Sequence, residues 1–97
     1  MTFDWDNKKA ESNRKKHDVS FYEATTAFND PWRWTAVDDK HSHSEERTWL
    51  IGETETGRIV VVIFTYRDEG KVCRLISARL SNRKEKKIYE ASKNISL

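Results

Sequence analysis

An α+β fold is what this sequence predicts, with an antiparallel sheet of about four strands, two helices before it and one after. Three observations carry that reading. Residues 58–66, RIVVVIFTY, are apolar on both alternations, as in a central strand covered on both faces. Ser20 with Glu23 and Asn82 with Glu85 each form the pattern in which a cap and a third-position carboxylate satisfy free backbone N–H groups. Between these two helix starts, strand signals follow one another from Trp32 to Ala78.

In order, Thr2–Trp5 suggests a short strand or arm, and Asp6 caps a polar helix over 7–16 with Ala10 on its buried side. The helix opened by Ser20 runs to Phe28 or Asn29 and stops at Asp30-Pro31. Strands follow over 32–37, 47–52, 58–66 and 71–78, with turns at 53–57 and 68–70. The last helix places Ile88, Ala91 and Ile95 on one stripe. Trp5 and Trp49 are expected in the core, and Trp32 with Trp34 as an exposed pair on one strand face.

Ninety-seven residues suit one domain, 1–97. The single cysteine, Cys73, permits no internal disulfide and fits a reducing cytoplasm. The charged start, MTFDWDNKKAESNRKK, fits neither a signal peptide nor a membrane anchor. Charge is unevenly spread. Residues 1–57 hold 8 Lys+Arg against 12 Asp+Glu, and residues 58–97 hold 10 against 4. A basic half implies an anionic partner (RNA, DNA or an acidic protein) or else a solvated basic helix.

His41 and His43 are two apart, so in a strand both imidazoles face one way and could share a metal. Zinc needs further ligands at recognisable spacing, and neither His17 nor Cys73 supplies them, so no metal or cofactor is expected. His43 fits a loop. Arg67 ends the central strand, Arg74 lies within the next, and Arg79 ends it, which suggests several guanidinium groups on one rim. Metal-free RNA cleavage needs a base for the 2′-hydroxyl proton, an acid for the leaving 5′-oxygen and fixed positive charge for the phosphorane. His41, these arginines and Tyr89 could supply that set. Arg74 could instead pair with Glu45 or Glu46, and Tyr89 could simply pack the last helix. Arg74 and Arg79 differ in parity, so they share a face only if a bulge intervenes. Spacing alone leaves a nuclease and a plain binding module open. The absence of a glycine-rich phosphate loop, a nucleophile elbow and a CxxC argues against nucleotide hydrolases, serine hydrolases and redox enzymes.

The combined pattern resembles the BrnT family of type II toxin–antitoxin systems. The resemblance rests on FDWD at 3–6, Asn13 with Lys16-His17, VSFYEA at 19–24 and Asp30-Pro31. It continues through His41-Ser42, Glu45-Glu46-Arg47, Ile51-Gly52, Thr65, Arg67, RLISAR at 74–79, and Glu85 with Tyr89. It implies a RelE-like fold and a small ribonuclease that arrests growth by cutting RNA. It also implies a BrnA-type ribbon-helix-helix antitoxin that binds operator DNA for the complex. The implied catalytic surface holds His41, Arg67, Arg79 and Tyr89, with Arg74, Arg83, Lys84 and Lys16 on RNA and Glu46 and Arg47 in support. The last helix, with its basic face and apolar stripe, is expected to form part of the antitoxin-binding surface. The chain departs from the family pattern in two places, at three positions. Asp18 replaces a glycine after Lys-His, and Lys86-Lys87 replace arginines, keeping charge without the bidentate fork.

Overall fold

Asp6 starts the first helix by accepting the N–H groups of Lys8 and Lys9, as its sequence position predicts. The computed structural model describes residues 1–42 and 44–95, with the backbone alone at Ile95, so His43 and its expected loop lie outside the described residues. The elements are β1 (Thr2–Asp4), α1 (Asn7–His17), α2 (Phe21–Thr26), a 3-10 turn (Ala27–Asn29) and β2 (Trp34–Val37). A second 3-10 turn (Asp39–His41), β3 (Thr48–Glu53), β4 (Ile59–Arg67), β5 (Val72–Leu80) and α3 (Arg83–Ile95) complete them. Asp18 ends α1 at φ 56°, ψ 32°, so aspartate takes the left-handed place where the family pattern has glycine.

Five strands form one sheet in the order β1-β5-β4-β3-β2, one more than the approximate four expected. The fifth is β1, the short strand suggested over Thr2–Trp5, which joins the sheet parallel to β5 at an edge, while every other pairing is antiparallel. β4 is central, as its double-sided apolar pattern predicts. On one face, Leu50, Val60, Val62, Phe64, Cys73, Leu75 and Ala78 pack with Val19, Phe21, Ala24 and Ala27 beneath α1 and α2. On the other, Ile51 and Val61 pack with Tyr89 from α3. α2 is shorter than expected. The hydroxyls of Thr25 and Thr26 donate back to the carbonyls of Tyr22 and Glu23, and the chain tightens to 3-10 before Pro31.

The core residues of β5 change parity between Leu75 and Ala78. The pairing shows why: Ser77 faces Ile63 and Leu75 faces Phe64, leaving Ile76 as the extra residue of a bulge. Asn13 secures the strand just past it. Its amide donates to the Ala78 and Val19 carbonyls at 2.7 and 3.1 Å, and its oxygen accepts the Ala78 N–H at 3.1 Å. β1 has ended by then, so a buried side chain replaces the missing strand partner.

The stripe expected on α3 needs correction. Ala91 is exposed, and the helix instead turns Glu85, Ile88 and Tyr89 inward because the Tyr89 hydroxyl donates to Asp30 Oδ2 at 2.5 Å. Trp34 is half-buried beneath this helix rather than exposed. Trp32 precedes the strand and lies under Lys93, whose Nζ is 5.1 Å from the ring centroid.

α2 is tied to the β3–β4 connection by Glu23. The guanidinium of Arg58 donates to it, helped by the hydroxyls of Thr54 and Thr56, and holds its carboxyl down to about 2 against burial. Asn13→Ala should lower stability by about 3 kcal/mol, since it strands buried backbone groups. Urea unfolding would show a lower midpoint at unchanged slope. Glu23 titrates near 4.5 when unfolded and near 2 when folded. Its contribution is therefore full above 4.5 and lost as pH falls toward 2, about 2 kcal/mol after solvent screening. Glu23→Gln should flatten the acid limb of a thermal-melt series between those pH values.

Candidate functional site

The face carrying α3 is covered only in part, and its open half gathers the charged residues. Continuing the β2–β3 and β3–β4 registers by one residue aligns Asp38, Arg47, Thr65, Arg74 and Asp4 in a row across the five strands. Two hydrogen bonds fix that extension. The Asp38 N–H donates to the Arg47 carbonyl at 2.8 Å, and the Thr65 hydroxyl donates to the Glu46 carbonyl at 2.7 Å. The Ile76 bulge is what brings Arg74 and Arg79 to the same face.

His41 ends the 3-10 turn after β2 with its ring exposed. Its Nδ1 lies 2.9 Å from Asp38 Oδ2, while the Asp38 carboxylate is itself nearly buried. The indole N–H of Trp49 beside Asp38 is the main cause that lowers its carboxyl, ahead of His41, although the indole stops short of hydrogen-bond geometry. Arg79 lies over the same tryptophan, its guanidinium carbon 5.9 Å from the ring centroid. Trp49 therefore links His41 and Asp38 on one side to Arg79 on the other. Ser42 braces the turn, donating its hydroxyl to the Asp38 carbonyl at 2.6 Å and accepting the Arg47 N–H at 2.9 Å. Glu46 and Arg47 thus shape the loop through their backbones.

The arginines do not share one rim. Arg67 pairs with Val72 and Arg79 with Val61, so six residues of β4, about 20 Å at ~3.3 Å each, separate them. An antiparallel hairpin sets the end of one strand beside the start of the next, not beside its end. Arg74 pairs with Asp4 at 3.4 Å, and it is Arg67 that reaches Glu45, at 3.6 Å. Arg79 gives its fork to Glu85, with both N–O distances at 2.8 Å, and Glu85 also accepts the Asn82 N–H at 2.9 Å. That pairing raises Arg79 further and holds Glu85 below the usual carboxylate range against burial.

Tyr89 is 1% exposed, and burial, with Asp30 next, pushes its hydroxyl above the ordinary phenol value. It anchors α3 and does not face the open sheet. Burial also raises Asp30, but the Tyr89 hydroxyl and the N–H groups of Glu53 and Trp32 outweigh it and hold the carboxyl low. Lys16 lies on α1, on the opposite face, and Arg83 and Lys84 are exposed in the first turn of α3. Cys73 is buried, its thiol pushed up to about 12 mainly by burial, so it is no nucleophile near neutrality. Among the described residues, no three His, Cys, Asp or Glu side chains gather in a metal-binding cluster. Asp38 and the placement of Trp49 were missed from sequence. The available signal was an aspartate three residues before His41, where a turn returns it to the ring.

The family described as ribonuclease toxin, BrnT, of type II toxin–antitoxin systems matches residues 5–85. The crystal structure of the Brucella abortus ribonuclease toxin BrnT superposes with a TM-score of 0.63 at 24% identity, covering 86% of this chain and 99% of that one. At that identity the likeness shows a shared fold. No curated protein matches the chain.

Glu85→Gln should cost about 2 kcal/mol, because it removes half of a largely buried ion pair and weakens the α3 cap. The loss would appear in the urea midpoint. Arg79→Lys should cost less, since one N–H···O contact survives.

Proposed function

This chain belongs to the BrnT family of ribonuclease toxins of type II toxin–antitoxin systems, and on that premise we propose that it cuts RNA without a metal ion. The observation that carries this reading is the linkage His41–Asp38–Trp49–Arg79 on one open face. Asp38 accepts the hydrogen bond from Nδ1–H of His41 and so leaves Nε2 unprotonated toward solvent, an acceptor for the 2′-hydroxyl proton. The 2′-oxygen then attacks the neighbouring phosphorus. The bond to the 5′-oxygen breaks, that oxygen takes a proton from solvent water, and a cyclic phosphate remains on the 3′ side. The 2′-hydroxyl proton stays on His41 until it is released to solvent. Arg79, held in place by Glu85, supplies positive charge near the phosphorane through its remaining N–H groups. Arg67 stands at the other end of the ladder and serves binding. Tyr89 supports α3 from inside, away from the reacting atoms.

The antiparallel run from β2 to β5, with helices on both faces, supports a RelE-like arrangement. Toxins of this family pair with an antitoxin. The partner is read as a BrnA-type ribbon-helix-helix protein that alone contacts operator DNA. The exposed cations of α3 (Arg83, Lys84, Lys86 and Lys87) offer it an electrostatic surface. No helix among the described residues is long and apolar enough to cross a membrane, and a cytoplasmic setting suits an RNA substrate. A second reading, a basic module that binds RNA or an acidic protein without cutting, has one observation in its favour. Arg67, Arg74 and Arg79 are each already paired with a carboxylate.

Purified protein with single-stranded RNA in excess chelator separates these readings. Cleavage there is expected, and His41→Ala should lower kcat by roughly 10²–10⁴. RNA left intact until magnesium is added would rule out the metal-free route, and RNA bound but never cut would favour the second reading. Asp38→Asn should lower kcat with little change in KM, since the asparagine amide can donate to Nδ1 and fix the wrong tautomer.

A further inference from the structure

Where β1 ends at Asp4, the edge of β5 is open at its bulge, and a cavity of about 60 Å³ lies there. Its charged lining is Lys9, Arg47, Arg67 and Arg74 against only Asp6 and Glu45, with Leu75 and Ile76 of the bulge beside them. No aromatic side chain borders it. That space exceeds the roughly 10–15 Å³ that one water requires, so a small anion can enter.

Arg47 is the informative member. It is half-buried, yet its guanidinium makes no ion pair or hydrogen bond among the described residues. A partly desolvated cation without a partner, facing two further arginines, lacks an anion. Its neighbours are loosely engaged. Arg67 and Glu45 are 3.6 Å apart, and Arg74 and Asp4 are 3.4 Å apart, whereas Arg79 and Glu85 lie at 2.8 Å. Both looser pairs are partly exposed, so an incoming phosphate can replace the carboxylates at small cost. Arginine's planar fork suits that exchange.

We propose that this cavity is a phosphate subsite, with Arg47 and Arg74 as its principal ligands, holding one backbone phosphate of the RNA strand. It rests on the RNA-cutting reading above and adds to it a second point of attachment. Arg47 lies opposite Asp38 in the row, one strand from His41, and Arg74 lies three strand spacings from β2, about 14 Å. A phosphate held between them toward β5 sits on the RNA strand beside the scissile one and sets its register. Arg47 is a substrate-binding residue in this account, and the bulge is what aims Arg74 into the same pocket.

The test measures binding of a short, labelled 2′-O-methyl oligoribonucleotide, which cannot be cut, across a salt series. Arg47→Ala/Arg74→Ala should weaken binding about tenfold and reduce the slope of log K against log[salt] by about 0.7, the value of one single-strand phosphate. Arg47→Lys keeps the charge and should retain the slope. With cleavable RNA, the double variant should raise KM about tenfold and change kcat far less. An unchanged slope overturns the subsite. So does a loss confined to kcat, which would place these arginines at the reacting centre. Unchanged RNA binding with weakened antitoxin binding overturns it too, and assigns the cavity to an acidic protein side chain. If the double variant loses its cooperative melt, Arg47→Gln alone is read for the same slope. Because the probe is uncleavable, the subsite is tested even if the wild-type protein cuts no RNA.

Discussion

The buried amide of Asn13, clamped on both backbone groups of Ala78, is the interaction on which the rest of this structure depends. β1 partners β5 only as far as Arg74, and beyond that point the β5 edge would face α1 with unsatisfied peptide groups. Asn13 satisfies them from a helix. It also fixes the strand immediately after the Ile76 bulge, so the one-residue change of phase cannot slip back. Without that phase change, a straight strand could not keep Leu75 and Ala78 in the core and also present Arg74 and Arg79 on the opposite face. Core packing and the charged surface are two outcomes of one offset.

That offset explains why the open face is laid out in rows. Each strand contributes one residue at a given level, and the sheet spacing sets the distance between neighbours. Asp38, Arg47, Thr65, Arg74 and Asp4 run acid, base, threonine, base, acid, so the two arginines are flanked by carboxylates at the outer strands. Trp49 lies one step deeper, and its indole connects the turn after β2 with the start of α3. α3 reaches the sheet through Tyr89 and Asp30, whose carboxylate also accepts the Glu53 N–H of β3, and, at its first turn, through the Glu85–Arg79 pair. The helix therefore closes one end of this face and leaves the remainder open to a long polyanion.

Much of the fold was legible in the chain. The caps at Asp6, Ser20 and Asn82 are local chemistry, and β4's unbroken apolar run identifies a central strand without knowledge of its partners. β1 was less visible, because three residues carry no period and its parallel pairing is settled by distant contacts. The bulge left a trace in the parity of Cys73, Leu75 and Ala78, but only the core assignment makes that trace readable. Placing Arg67 and Arg79 on one rim overlooked the reversal of a hairpin, which the sequence itself encodes at residues 68–70. Tyr89 was visible as a family residue and as a packing residue. Its burial against Asp30 depends on a contact across 59 positions that no local pattern reports. Asp38 was passed over because a carboxylate in a turn is unremarkable until the ring it faces is known.

Cys73 is buried between β1 and β4, paired in register with Phe3 on one side and Tyr66 on the other. With its thiol held near 12, it is inert while the sheet is closed. The same cysteine is the only thiol in the sequence, so any alkylation of the native protein must pass through an opened state. Its side chain lies in the core beneath α1 and α2, so the labelling rate reports how often that core opens, by local or by global unfolding.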